Sequence, residues 1–477
     1  MKKRWICLSL VLLLVLSLCA CAGSEDPPKA GLQVGFGRES ITPMNYPVCL
    51  QGGSYRDRVS TGILDMLYIT IVAVSDGTQT YLVSTMDVKL GTGIFAPETR
   101  ARITAETGIP MENIYLNATH THSGVAIRYS WDNADRYRED FYKAAVKAAK
   151  AAVEDLAPAT VSIGVAQTTG MAWVRHYTMQ DGTVAGANFG NTSSGYTGHV
   201  RDADNELQLV RFTRTPTEEG KEKKDIVLAS FPAHATFNES GTDLSADFPG
   251  PFRDYVEAEA GVLCAYFIGS AGDQVPSSRI KGEQYSRDYR EYGKELGRYA
   301  VEALPNLTPL EGGTELKAVN STYTGATHKE GTEPQRVGQA QEVTQAVNTY
   351  GAHSQQTQDL VAKYGFSSYL DAAWTVKRSG LDDTRDMEMK VFAIGNLSFV
   401  FAPYEMFGEQ GQFIKAKTPY PMTFIATCSE GDNSYIPSET GFDNNTYESQ
   451  VSYFARGNAE KIANEYINLL TQMKGGA

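Results

Sequence analysis

Apolar and polar positions follow one another along this chain in short blocks, and the period of each block assigns an element. Residues 64–74 are apolar and β-branched, Asp76-Gly77 interrupts them, and 80–88 resumes the pattern, which predicts a β-hairpin. Residues 97–107 are amphipathic and stop at Gly108 and Pro110, as a helix does. A strand is predicted over 114–119, an alanine-rich helix over 138–156 closed by Pro158, and a strand over 160–166. Residues 171–200, rich in Gly, Thr, Asn and Ser, read as a long loop, a feature that in a compact body is usually functional or disordered. Further strands are predicted over 207–213, 226–231 and 262–268, with 218–224 as the turn between the first two, and helices over 254–260 and 285–304. Residues 334–377 are polar and helix-prone, a helical elaboration or lid. A hairpin over 388–394 and 397–402 about Gly395-Asn396, a strand over 422–428 and a closing helix over 448–470 complete the chain. Strands and helices alternate irregularly, so the class is α/β, with mixed sheets flanked by helices.

Length changes this picture little. A chain of 477 residues has room for two or three domains, but no repeat and no Pro/Ser-rich linker divides it. One large domain over 32–477 is expected, with 334–377 as its helical elaboration. The start is different: Met1-Lys2-Lys3-Arg4 is followed by an apolar run over 6–18, too short to span a bilayer comfortably. Residues 1–20 read as a signal peptide. Leu18-Cys19-Ala20-Cys21 resembles a bacterial lipobox, which implies cleavage before Cys21, acylation of its thiol and a tether over 21–31 containing Pro27-Pro28. Plain secretion with cleavage after Ala20 or Ala22 is the alternative. The expected location is the bacterial cell envelope, outside the cytoplasm and lipid-anchored. The net charge of −13 argues against a nucleic-acid partner and against adsorption to anionic lipid through basic patches. Besides Cys21 the body keeps Cys49, Cys264 and Cys428, an odd and scattered set that implies buried thiols rather than a disulfide framework.

Candidate chemistry sits where predicted strands end. Asn117-Ala118-Thr119-His120-Thr121-His122-Ser123-Gly124 carries two of the seven histidines. Ala233-His234-Ala235-Thr236, Pro403-Tyr404-Glu405 and Asn433-Ser434-Tyr435 each follow an apolar run as well. Open α/β sheets place their chemistry at carboxyl strand ends, and two histidines, a carboxylate and one further oxygen make a zinc shell with water completing it. A histidine pair on a strand is also a common structural feature, so the motifs gain weight only if they converge. Asp273, on a glycine-flanked turn, either orients a ligand histidine or bonds its own backbone. Asp87 ends a strand and caps a turn or binds a second cation. His176, His199, His328 and His353 lie in polar stretches and read as surface or loop residues.

From about Gly35 to the carboxyl-terminal helix the chain resembles the neutral (alkaline, non-lysosomal) ceramidases. The resemblance rests on Ile41-Thr42-Pro43, Asp65-Met66-Leu67, Thr119-His120-Thr121-His122-Ser123-Gly124, Ala233-His234-Ala235-Thr236, Gly272-Asp273, Pro403-Tyr404-Glu405, Asn433-Ser434-Tyr435 and Tyr447-Glu448, in that order. It implies a zinc-dependent amidase that cleaves the N-acyl bond of ceramide, with His120, His234, Glu405 and Tyr435 as zinc ligands. His122 then matches the histidine facing the scissile group, and Arg175 falls where the family has an arginine near the substrate amide. The family has Pro-Gly-Glu where Tyr404 stands here. Its Gly-Asp-Val-Ser-Pro-Asn motif holds a serine proposed to act in catalysis; here the run is Gly272-Asp273-Gln274-Val275-Pro276-Ser277, and Val275 takes that place. Ser277 or Ser278 would substitute only if the loop shifts, which favours a metal-activated water over a serine nucleophile. Many members continue into an immunoglobulin-like domain for which the residues up to Ala477 leave no room. The resemblance makes a ceramide-like lipid amide the expected substrate; the missing domain and the altered serine motif favour the alternative, a soluble or glycan-linked N-acyl compound. A non-catalytic ligand-binding lipoprotein and a structural envelope protein are the readings from other classes. Loss of the zinc ligands would mark the former, and the chain keeps all four matching residues. The residues do not fix the oligomeric state.

Overall fold

The computed structural model describes residues 31–52, 58–90, 95–127, 129–187, 195–216, 222–280, 283, 288–431 and 433–475. The expected signal peptide, Cys21, all but the last residue of the tether, and part of the 218–224 turn lie outside them. Among the described residues no helix is long and apolar enough to cross a membrane.

Two mixed sheets stack face to face. The strands of the first are β1 (Gln33–Ser40), β2 (Tyr68–Ser75), β3 (Thr80–Met86), β4 (Ile114–Ala118), β5 (Ala157–Gln167), β6 (Glu206–Arg214), β7 (Ile226–Phe231) and β8 (Leu263–Ile268). They run in the order β8-β7-β6-β5-β1-β2-β3-β4, and a short segment, Thr308–Pro309, adds to β5. Neighbours are antiparallel except β3/β4 and β7/β8. The second sheet runs in chain order through β9 (Leu316–Ala326), β10 (Thr384–Ile394), β11 (Leu397–Phe401) and β12 (Met422–Ala426), with β11/β12 parallel. Parallel neighbours need a crossover, and the sequence supplies a helix for each. Helix α1 (Ala96–Thr107) joins β3 to β4, α3 (Pro249–Ala260) joins β7 to β8, and α8 (Gly408–Lys417) joins β11 to β12. Pro97 opens α1, where a missing N–H costs nothing, and Gly108 closes it at φ 73. Each crossover leaves a carboxyl strand end pointing the same way.

Between the sheets lies an aromatic-rich layer: Tyr115, Phe212 and Phe267 from the first, Phe392, Phe399, Phe401 and Phe424 from the second. Tyr115 and Phe401 stack at 4.5 Å. Removing each such side chain from water contributes about 1.5–3 kcal/mol. Helix α1 and helix α2 (Ala134–Glu154) cover one outer half of the first sheet, and α3 with α4 (Tyr289–Ala303) the other. Gly35 and Gly37 let α2 lie directly on β1, since a Cβ at either would stand 2.0 Å from a helix carbonyl. Helices α8 and α9 (Asn458–Gly475) cover the second sheet through Ile414, Ile462 and Tyr466.

The first sheet coils until its two edges approach: Thr85 Oγ1 on β3 donates to the Tyr266 carbonyl on β8 at 2.6 Å. The chain leaving β12 enters between those edges. Thr427 N–H donates to Ile268 at 2.9 Å and Glu430 N–H to Leu116 at 3.0 Å. This wedge draws the carboxyl ends of β4, β7, β8, β11 and β12 together.

The elaboration is three helices, α5 (Pro334–Tyr350), α6 (Gln355–Tyr364) and α7 (Tyr369–Ser379), with a small core of Ala340, Val343, Val361, Phe366 and Ala372. Trp374 fastens it to Tyr453, ring centres 5.0 Å apart. Three expectations are corrected. Residues 171–200 contain strands, with His176–Met179 at the centre of a three-stranded sheet between Val184–Gly186 and Tyr196–His199. The closing helix begins at Asn458, because Gly457 at φ 83 interrupts the run, and Glu448 belongs to a separate turn, Tyr447–Gln450. The helix expected over 254–260 starts at Pro249, one turn earlier.

Candidate active site

The four sequence motifs meet at the gathered strand ends. Strand β4 stops at Ala118, and His120 takes a left-handed conformation, φ 64, which is costly for a side chain with a Cβ. The turn brings the His120 and His122 rings to 5.0 Å at 71°, with Nε2 atoms 3.4 Å apart, rather than leaving them side by side on one strand face. His234 follows β7, and its ring lies 4.7 Å from His120. Glu405 follows β11 and Tyr435 follows β12; Ser434, just before it, is also left-handed at φ 56. Glu405 Oε2 stands 3.2 Å from His120 Nε2 and 3.1 Å from His234 Nε2, and Tyr435 Oη 3.3 Å from His234 Nε2. The five side chains are buried. The ligand atoms of His120, His122 and His234 lie within 4.8 Å of one another.

Hydrogen bonds fix which ring nitrogens face inward. His120 Nδ1 meets the Lys89 carbonyl at 2.6 Å, and His234 Nδ1 meets the Ala271 carbonyl at 2.6 Å. A carbonyl only accepts, so both Nδ1 atoms carry hydrogen and both Nε2 lone pairs point at the focus. His122 Nδ1 meets Glu239 Oε2 at 3.1 Å, and its Nε2 also faces the group. Burial pushes the His234 ring down to about 4 and the His122 ring well below its ordinary value, helped at His122 by Lys89. Burial and the Glu405 charge keep the Tyr435 phenol protonated. Neutral imidazole lone pairs and a carboxylate thus converge. This all-acceptor set fits a divalent metal ion, for which carbonyl-held histidines and a glutamate are apt ligands.

Arg175 lies behind Tyr435, its guanidinium carbon 5.5 Å from the ring centre. It donates to Glu448 at 2.7 Å and to the Gly272 carbonyl at 2.8 Å, which fixes it as a prop for the tyrosine. His176 is buried and donates to the same Glu448 at 2.8 Å, so it is not a surface residue. Nor are His328, buried against Arg378, or His199, half-buried among the Val174 carbonyl, Ser278 and Glu283. His353 is exposed. The Asp273 carboxylate accepts from Gly408 N–H at 2.9 Å, at the start of α8, and pairs with Arg201. His234 is oriented by the carbonyls of Ala271 and Gln274 beside it, not by that carboxylate. Asp87 forms a buried bidentate pair with Arg253, at 2.8 and 2.7 Å, neither a turn cap nor a cation ligand. Val275 pairs with Trp173 in a short ladder, Ser277 is exposed and the Ser278 hydroxyl is held by His199 and Glu283. Sequence reading missed Glu239, which stands five residues after His234 yet partners His122, and the part of Tyr447, whose ring lies 5.7 Å from Tyr435.

No family model and no curated protein matches this chain. Among solved structures it is similar to a ceramidase complexed with C2, with a TM-score of 0.66, 15% identity, and 94% of this chain and 76% of that one covered. It is similar also to neutral ceramidase from Pseudomonas aeruginosa, with a TM-score of 0.67, 16% identity, and 94% and 75% covered. The fold is that of the neutral ceramidases.

Proposed function

We propose that this protein is a zinc-dependent amidohydrolase acting on the N-acyl bond of a ceramide-like lipid. The observation that carries the reading is the convergence of His120 Nε2, His234 Nε2 and Glu405 Oε2, with both Nδ1 atoms held by carbonyls. The substrate class is supported by the ceramidases of the same fold. His120, His234, Glu405 and Tyr435 would hold the metal. A zinc ion held there would supply Lewis acidity toward the amide carbonyl and would activate water near neutral pH.

The remaining roles fall to the chain. His122, neutral and with Nε2 directed at the focus, accepts the proton of the attacking water and delivers it to the leaving amine. The Tyr435 hydroxyl, kept protonated and backed by Arg175, is a donor for the oxygen on which charge develops. Ser278 already has its partners, which supports water rather than serine as the nucleophile. The test is release of sphingosine from N-acyl sphingosine. Activity that a chelator abolishes and zinc restores is the expected result; chelator-insensitive hydrolysis contradicts it. We further propose that Cys21 is acylated and anchors the protein to the cell envelope, checked by fatty-acid labelling that Cys21→Ser removes.

A further inference from the structure

The segment between β1 and β2 passes over His122 with very little clearance. Gly52, at φ 149, lies against it: a Cβ there would stand 2.1 Å from the His122 carbonyl oxygen and 2.6 Å from its Cβ. Six residues on, the side chain of Arg58 turns inward, only 7% exposed. Its Nη1 donates to the carbonyls of His122 at 2.9 Å and Gly52 at 3.3 Å. Its Nε donates to Gly241 at 2.7 Å, and Nη2 reaches Asn238 at 3.2 Å and Gly241 again. One guanidinium thus joins the strap at Gly52, the His122 backbone and the 238–241 loop. That loop carries Glu239, whose Oε2 is 3.1 Å from His122 Nδ1. Burying a cation is costly to solvation, and an apolar side chain would fill the space at less cost. The planar fork instead fixes the spacing of three segments, which a lysine ammonium cannot do.

We propose that Arg58 is a positioning residue for His122, holding both the histidine backbone and the loop that presents Glu239 to its ring. The inference rests on the role given to His122 above. Its test uses the intact zinc-loaded chain with N-acyl sphingosine. Arg58→Lys keeps the charge and loses the fork; kcat is expected to fall by about 10–100-fold, the range for groups that orient site residues, with KM and zinc content unchanged. The same substitution in a His122→Ala background is expected to cost nothing further, because both act through one ring. Added guanidinium should restore part of the kcat lost in Arg58→Ala. A readout free of activity is the ring Nδ1–H resonance of His122 in histidine-labelled protein, expected to be slow to exchange in the parent and fast in Arg58→Lys. If the parent cleaves no N-acyl amide, the hydrolase reading fails, and this resonance alone judges the positioning claim. An unchanged kcat with an unchanged resonance, or a full additional loss in the His122→Ala background, overturns it. Should Arg58 variants not fold, Glu239→Gln takes their place: the same loss of kcat and the same non-additivity are expected, and full activity with an unaltered resonance overturns the proposal.

Discussion

Two buried histidine–glutamate assemblies lie side by side in this molecule and differ in their balance of donors and acceptors. Around Glu448, donors meet the carboxylate at each oxygen. Arg175 donates to Oε1, while His176 and Thr446 donate to Oε2. Burial alone would raise this carboxyl; His176 and Arg175 outweigh it and hold the group far below the usual range. Around Glu405 stand two ring nitrogens whose hydrogens are committed to carbonyls on the far side, with the protonated Tyr435 hydroxyl beside them. The first assembly is a completed ion pair. The second turns two ring lone pairs toward a carboxylate, an arrangement that a bound cation balances. Similar residue types therefore complete an ion pair in one place and leave lone pairs facing inward in the other, and the Nδ1 bonds of His120 and His234 to carbonyls mark the second.

Substitutions should separate the two. The largest effect is expected at the acceptor set: Glu405→Gln or His234→Ala should remove bound zinc and reduce hydrolysis to background, while the metal-free chain keeps its unfolding midpoint. Glu448→Ala should do the reverse. Leaving Arg175 buried without its counter-charge and His176 without its acceptor should cost about 3–5 kcal/mol, read by denaturant unfolding, with zinc still bound at low denaturant. Acid should distinguish them more mildly. The His122 and His234 rings are depressed by burial, from 6.5 to about 4 at His234. The unfolded chain then takes up protons first, so the metal-free protein should lose stability as pH falls from about 6.5 towards 4. The contribution of Glu448, a depressed carboxyl, is present above the ordinary carboxylate pKa and should be lost only below it. Zinc should protect against the first phase, since metal and protons compete for the same nitrogens. The smallest effect is expected at Trp374→Ala, which loosens the helical elaboration. About 1 kcal/mol, typical of one aromatic pair, should be lost, visible as faster proteolysis within 334–379 and no change in zinc.

Much of this arrangement is legible in the sequence because strand and function share a signal. An apolar run that stops at a histidine, glutamate or tyrosine marks both a carboxyl strand end and a candidate ligand, as at His234 and Glu405. The run 226–231 coincides with β7, and the helices read over 97–107 and 285–304 match α1 and α4 within a few residues. Other parts leave no such trace. Strand β9 is an edge strand with Asn320, Thr322 and Thr324 on exposed positions and Lys317 and Ser321 half-buried, so its alternation is weakly apolar. Helix α3 hides its first turn behind Pro249-Gly250-Pro251. The pairing of Arg175 with Glu448, and of His122 with Glu239, joins residues 273 and 117 positions apart, and only packing brings them together. His176 lies in a polar stretch and is still buried, because a carboxylate from a distant turn satisfies it.

The site around Glu405 is proposed to hold a metal ion. The direct measurement is elemental analysis of the purified chain beside His120→Ala and His234→Ala, each folded by circular dichroism. About one zinc per chain is expected in the parent, the stoichiometry of a single metal site, and almost none in either variant. A parent that takes up no zinc when it is supplied, or variants that bind as much as the parent, would contradict it.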